Sequence, residues 1–146
     1  MKLTTLLLTL AFAGLAYADS KLPRGTFGFK DLEKAKVEAA AKSKPIAFVF
    51  SDKDTTCPIC QGATSELIDT VKSKAVVVFV NAPDTNAGST EIPEAARKGL
   101  MQGTVMPKIA LTDSGVTKLI ASTNYETYSK DEKAMREFKK ALKPAK

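Results

Sequence analysis

The two cysteines of this 146-residue chain stand close together, in the run Cys57-Pro58-Ile59-Cys60. They follow an apolar segment and precede a segment whose apolar residues have helical spacing. A disulfide across so short a loop constrains the unfolded chain little, since the entropic account of cross-linking gives it about 2 kcal/mol. The spacing therefore favours redox chemistry over structural stapling.

Cys57 stands at the start of the predicted helix, and this position bears on its ionisation. Exchange with a disulfide needs a thiolate, and a free cysteine with a pKa of about 8.5 is mostly protonated at neutral pH. Unpaired backbone N–H groups and the helix dipole favour an anion at a helix amino end. Cys57 is therefore predicted to be the more acidic thiol and to attack, whereas Cys60 would displace the product and close the bridge.

The loop before the motif carries the titratable side chains nearest to it in sequence, Asp52, Lys53 and Asp54. Asp54 could relay a proton or, as a neighbouring negative charge, raise the pKa of the thiol. The alternative interpretation is that these are solvated loop charges without a chemical role. Thr56, directly before Cys57, is predicted to cap the helix.

The chain has no histidine, which excludes several kinds of site. Without an imidazole base, a Cys-His hydrolase is ruled out. A tetrahedral zinc site needs four ligands, usually cysteine or histidine, and only two such residues are present. We therefore expect neither a metal ion nor a cofactor.

Apolar patterning places the cysteine motif between two strands. A helix over 29–43, blocked by Pro45, precedes a first strand over 46–50. This strand and a second over 76–80 are apolar throughout, as expected when both faces of a parallel sheet are covered. With a helix over 58–72 between them they form a right-handed βαβ unit. The cysteines would then lie at the carboxyl end of a strand, where open α/β sheets have their sites.

The second half of the chain completes the predicted order of elements. Residues 82–90 have the composition of a loop, and a helix over 92–101 follows. An antiparallel hairpin is predicted from 108–112 and 116–121, which flank an Asp-Ser-Gly turn. The run 129–132 matches a capping box for a last helix.

The first 18 residues are interpreted as an export signal. Lys2 supplies the positive charge, residues 3–15 the apolar stretch, and Ala16-Tyr17-Ala18 the cleavage pattern. We expect a mature chain that begins at Asp19 and forms one domain, residues 19–146. No other stretch approaches the roughly 20 apolar residues of a membrane span, so no stable membrane insertion is predicted. The alternatives are a buried N-terminal helix and an uncleaved anchor.

Export and charge bear on the compartment and the partners. Disulfides persist outside the cytosol, and we expect a periplasmic or secreted protein. The formal net charge is +6, and +5 without Lys2, with the lysines scattered along the chain. A nucleic-acid surface would need a basic stripe with aromatic platforms, so no nucleic-acid partner is predicted. The positive charge still predicts a weak preference for acidic partners. The chain is expected to be a monomer.

Over residues 32–142 the chain resembles the thioredoxin-like family of thiol-disulfide proteins. The resemblance depends on Lys44-Pro45 before an apolar strand, on the C-x-x-C with its helix, and on Met106-Pro107 before the hairpin. It implies an α/β, thioredoxin-like fold with a central mixed sheet flanked by helices.

The resemblance also implies roles for individual residues. Cys57 would be the exposed nucleophile and Cys60 the more buried resolving thiol. Pro107 matches the family's cis-proline, which lies against the disulfide, and Met106 would offer backbone contacts to a substrate segment. The alternative for Pro107 is an ordinary trans proline at the start of a strand.

The chain also departs from the family pattern. Val49 stands where many thioredoxins have a buried acid, and threonines precede Cys57 where the family has a tryptophan. The loop before the motif is longer than usual, and the histidine of the copper-delivery relatives is missing. In many thioredoxins the buried acid assists proton transfer, so these differences argue against efficient turnover as a reductase.

Two functions are consistent with these residues. The first is an exported thiol-disulfide exchange protein that acts on cysteine-containing exported proteins and is recharged by a redox partner protein. The alternative is a non-catalytic binding module of the same fold, in which a groove near Met106 and Pro107 holds a partner and the disulfide stays inert. The residues do not specify the direction of electron flow, because it depends on the relative reduction potentials of the protein and its partners.

Overall fold

The computed structural model describes residues 22–143, so the predicted export signal and the start of the mature chain lie outside the described residues. Strands and helices alternate from the first strand to the fourth, and two helices follow the fifth strand. One turn of 3-10 helix, Phe29–Asp31, precedes the first α-helix. The strands are β1 (Thr26–Gly28), β2 (Ile46–Ser51), β3 (Val76–Asn81), β4 (Lys108–Thr112) and β5 (Leu119–Asn124). The helices are α1 (Leu32–Ala41), α2 (Pro58–Val71), α3 (Glu94–Leu100), α4 (Tyr125–Lys130) and α5 (Glu132–Ala141).

The strands form one five-stranded mixed sheet in the order β1-β3-β2-β4-β5. β1 and β2 run parallel to β3, and β2 pairs with it from Ile46 opposite Val76 to Ser51 opposite Asn81. β4 runs antiparallel to β2, and β5 antiparallel to β4. The predicted α/β class with a central mixed sheet flanked by helices is confirmed at this level.

Both faces of the sheet are covered, which explains the apolar runs of β2 and β3. On one face, Phe48 of β2 packs in a core with Ala39 of α1 and Leu100 of α3. On the other face, Val49 belongs to a core with side chains of α2, α4 and α5, among them Leu67. Burying each large apolar side chain contributes about 1.5–3 kcal/mol, so this arrangement holds the cysteine helix firmly on β2.

The predicted boundary of the last strand was wrong. The strand expected at 116–121 is displaced to Leu119–Asn124. Asp113 causes the displacement, because its Oδ1 accepts the backbone N–H groups of Thr117 at 2.7 Å and Lys118 at 2.6 Å. Val116 is buried there with φ +59°, in a left-handed conformation that ends the extended chain.

The capping box predicted at 129–132 was also wrong. Ser129 lies inside α4, and the N-cap of α5 is Asp131, whose Oδ1 accepts the N–H groups of Lys133 at 2.9 Å and Ala134 at 3.0 Å. A carboxylate satisfies these free donors and suits the positive helix end. The sequence therefore predicted a last helix, but its N-cap lies two residues later than the predicted Ser129.

Two smaller differences occur elsewhere. The helix predicted over 92–101 begins at Glu94, with Pro93 in the N-cap position. The helix predicted over 29–43 is a 3-10 turn followed by α1, and β1 ahead of it was not predicted. No helix within residues 22–143 is long and apolar enough to cross a bilayer.

Candidate functional site

One edge of the sheet gathers the residues that could do chemistry. β2 and β3 are parallel and end at this edge, and the loop after β2 leads to Cys57 and α2. β4 runs the other way, with Lys108 paired to Phe50, so Pro107 enters the sheet at the same edge. The fold thus places the cysteine motif and the segment that contains Met106 and Pro107 at the same end of neighbouring strands.

Cys57 itself caps α2. Its backbone is extended, with φ −76° and ψ 111°, and Pro58 occupies the first turn of the helix. The Sγ atom of Cys57 accepts the backbone N–H of Cys60 at 3.3 Å. The prediction that Thr56 caps the helix was therefore wrong, because the helix begins one residue later and the sulfur takes the role of the capping oxygen.

The two thiols differ in acidity because they interact with each other. A hydrogen bond from the Cys60 thiol is the largest cause that lowers the pKa of Cys57, and the backbone N–H groups of Cys60 and Ile59 add to it, against burial. The same thiol-thiol bond raises the pKa of Cys60, with burial acting in the same direction. The position of Cys57 at the helix end predicted that its pKa is the lower of the two. It did not predict the largest cause of the lowered pKa, which is the Cys60 thiol.

Both cysteines are free thiols, and both are half-buried. The resemblance implied that Cys60 is the more deeply buried of the two, whereas the structure places them in the same range of exposure. What distinguishes the two sulfurs is therefore their hydrogen bonding. The Cys57 sulfur accepts the backbone N–H of Cys60 at the helix end, which favours its anion. The neighbouring Cys57 sulfur in turn favours the protonated form of Cys60.

Asp54, the predicted proton relay, is exposed, and its backbone N–H donates to Asp52 Oδ1 at 2.9 Å. The interactions that shift the pKa of Cys57 come from Cys60, from Ile59 and from burial. The contacts of Asp54 thus fit the alternative interpretation, a solvated loop charge.

A buried pair of hydroxyls, not foreseen from the sequence, lies beneath the motif. Val49, at the position of the family's acid, is fully buried in the core, and Ser51 follows two positions along the strand. The Ser51 Oγ and Thr64 Oγ1 atoms are 2.7 Å apart, and Thr64 Oγ1 donates to the carbonyl oxygen of Cys60 at 2.9 Å. Because a hydroxyl has one hydrogen, Ser51 must donate to Thr64. This chain fastens the first turns of α2 to the end of β2.

The segment before β4 combines a buried proline with exposed apolar side chains. The Met106-Pro107 peptide bond is cis, as the resemblance implies, and Pro107 is buried. Met106 is 45% exposed, and Met101 and Val105 in the same segment are 61% and 37% exposed. Ile59, inside the cysteine motif, is 79% exposed. Apolar side chains on both the motif and this segment are thus available for contact with another molecule.

A cleft of about 660 Å³ lies near the ends of β1 and β3, lined by Phe29, Phe79 and Asn81 with charged side chains that include Lys53 and Asp84. The cysteines do not line it, so the thiol chemistry does not take place within it. Across the described part of the chain, no group of three or more His, Cys, Asp or Glu side chains is placed to hold a metal ion.

Comparison with known proteins adds no assignment to this geometry. No family model, curated protein or solved structure matches the chain. A function must therefore be argued from the residues themselves and from their arrangement at the sheet edge.

Proposed function

We propose that this chain is an exported, thioredoxin-like thiol-disulfide exchange protein in which Cys57 attacks and Cys60 resolves. The observation that carries the proposal is the capping position of Cys57, whose Sγ accepts the N–H of Cys60 at 3.3 Å and whose pKa is lowered mainly by the Cys60 thiol. A five-stranded mixed sheet flanked by helices is compatible with the thioredoxin-like fold. The position of the motif after the central strand adds support.

The exchange can be written as two balanced steps. The Cys57 thiolate attacks one sulfur of a substrate disulfide, the substrate S–S bond breaks, and the other substrate sulfur leaves as a thiolate. Cys60 then loses its proton to solvent and attacks Cys57 Sγ, which releases the second substrate thiolate. The substrate is reduced by two electrons and the Cys57-Cys60 pair is oxidised. The reverse sequence oxidises a dithiol, and a redox partner protein restores the pair.

The opposite pKa shifts of the two thiols suit this order of events. While Cys57 is a thiolate, the hydrogen bond between the thiols and the negative charge of Cys57 raise the pKa of Cys60. Both influences end when Cys57 enters a mixed disulfide, because its sulfur then carries no charge. Cys60 therefore becomes easier to ionise at the stage at which it has to attack.

The proposed substrates are exported proteins that contain cysteines. Met106 and Pro107 would hold an extended substrate segment, and the exposure of Met106 and Ile59 supports contact with such a chain. The predicted export signal supports a periplasmic or secreted location, where substrate disulfides persist.

Alkylation of the reduced protein by iodoacetamide, followed by mass spectrometry across pH, tests the central observation. Cys57 should react with a midpoint below that of free cysteine, and Cys60 with a midpoint above it. In Cys60→Ala, which lacks the thiol donor, the Cys57 midpoint should rise. Cys60→Ser keeps a donor and serves as the matched control. Equal, slow labelling of both thiols would instead favour the binding module with an inert disulfide.

Covalent trapping tests the substrates and the compartment. Cys60→Ser lacks the resolving thiol, so mixed disulfides with exported proteins should accumulate through Cys57 in cells that export the full chain. A variant with both cysteines replaced by serine is the control and should trap nothing. The mass of the recovered protein should correspond to a chain that begins at Asp19. Absence of covalent partners would count against exchange, and a retained leader would count against cleavage.

A further inference from the structure

Lys108 is buried, which is unusual for a lysine. It is the first residue of β4, directly after Pro107, and its residue surface is 7% exposed. Lysine is almost never fully buried unless its charge is paired or hydrogen-bonded. In the sheet it lies between Phe50 of β2 and Asn124 of β5. An apolar side chain would be cheaper to bury at such a position, so the ammonium group needs a hydrogen-bond partner there.

The ammonium group of Lys108 holds the chain that precedes the strand. Its Nζ donates to the carbonyl oxygen of Gly103 at 2.6 Å, a short hydrogen bond from a charged donor. Burial lowers the pKa of Lys108, which is the cost of keeping this group away from water. The bond closes a loop over residues 103–108, and Met106 and Pro107 lie inside this loop.

One further hydrogen bond holds the same segment, residues 101–107, on β5. Ser122 Oγ donates to Gln102 Oε1 at 2.7 Å. Gly103 has φ +70°, and a Cβ atom there would lie 2.7 Å from Nδ2 of Asn124. A side chain at this position would press on Asn124 and strain the backbone, so glycine suits the close approach to β5. Hydrogen bonds hold the segment at Gln102 and at the carbonyl of Gly103.

We propose that Lys108 is a positioning residue, which fixes the 101–107 segment so that Met106 meets an extended substrate backbone in one geometry. This inference rests on the proposed function and deepens it. Three exposed apolar side chains, Met101, Val105 and Met106, lie on the part of the segment that these contacts immobilise. An extended polypeptide would benefit from a fixed segment of this kind, because an ordered site costs less entropy on binding. A small disulfide that reaches only the Cys57 sulfur would not benefit from the fixed segment.

The test compares two disulfide probes on the full chain carrying Lys108→Met. One probe is an extended cysteine peptide joined to thionitrobenzoate by a mixed disulfide, and the other is dithiobis(nitrobenzoate), which has no polypeptide part. Methionine keeps a similar length without a donor. We expect the second-order rate constant for a single exchange of the reduced protein with the peptide to fall about tenfold, the effect of losing one charge-assisted hydrogen bond, while the small probe reacts at the wild-type rate. The iodoacetamide midpoint of Cys57 should not move.

Controls separate this role from a structural one. Lys98→Met removes an exposed lysine paired with Glu94 and should leave both probes unaffected. If Lys108→Met does not fold, Ser122→Ala breaks the second contact of the segment and should show the same selective loss. Equal losses on the two probes, or no loss on the peptide, would overturn the inference. A wild-type protein that exchanges with neither probe would overturn the proposed function itself, and the inference with it.

Discussion

The acidity assigned to Cys57 arises within a single turn of helix. Its causes are the thiol and backbone N–H of Cys60 and the N–H of Ile59. The order of the two thiol pKa values could be predicted from the sequence, because the amino end of a helix favours an anion. The thiol-thiol bond could not be predicted, since it depends on side-chain orientations that spacing does not specify. Nor could the burial of Lys108, because a lysine at the start of a strand is ordinarily solvated.

Thr64 provides a test of the hydroxyl pair at the scale of one residue. Thr64→Val has nearly the same shape but removes the donor to the Cys60 carbonyl and the acceptor of the buried Ser51 hydroxyl. Because a buried polar group then loses its partner, we expect about 1–3 kcal/mol of destabilisation in urea unfolding. Thr64→Ser keeps the hydroxyl, so its free energy of unfolding should fall much less. Equal stabilities of the valine and wild-type proteins would show that the pair contributes nothing.

At the scale of elements, length and periodicity decided what could be predicted. β2, α2 and β3 lie where their patterns placed them, because each pattern continues long enough to be distinctive. β1 has three residues, too few to show a period. The start of α5 and the position of β5 depend on single carboxylates, Asp131 and Asp113, and the sequence does not show which backbone groups a carboxylate will bind.

Gly99 tests how closely α3 packs on the sheet. A Cβ atom at this position would lie 2.7 Å from the Cβ of Ala110, 2.9 Å from Leu119 Cδ1 and 3.0 Å from Ser122 Cβ. Gly99→Ala should therefore destabilise the protein by about 1–3 kcal/mol, the usual cost of overpacking. Thermal unfolding measures the change.

Gly62 in α2 is the matched control, because nothing lies within 4 Å of an added Cβ there. Gly62→Ala should stabilise the protein by up to about 1 kcal/mol, since alanine is the better helix former. A Gly99→Ala protein as stable as Gly62→Ala would contradict the close packing of α3 on β4 and β5.

At the scale of the whole molecule, two all-apolar strands were enough to predict a sheet covered on both faces. The sequence did not show which helices share a face, because that depends on how the connections cross the sheet. In the structure α1 and α3 contribute to one core, and α2, α4 and α5 to the other. The core formed with α2, α4 and α5 therefore lies beneath the cysteine motif, and the side chains of residues 57–60 are not part of it.

Pro58 and Ile59, the two residues between the cysteines, are exposed, and Ile59 keeps 79% of its surface open to solvent. Changes at these positions alter the surroundings of both sulfurs without removing any atom from either core. We therefore expect substitutions at these two positions to change the thiol reactivity of the proposed exchange protein while both hydrophobic cores stay intact.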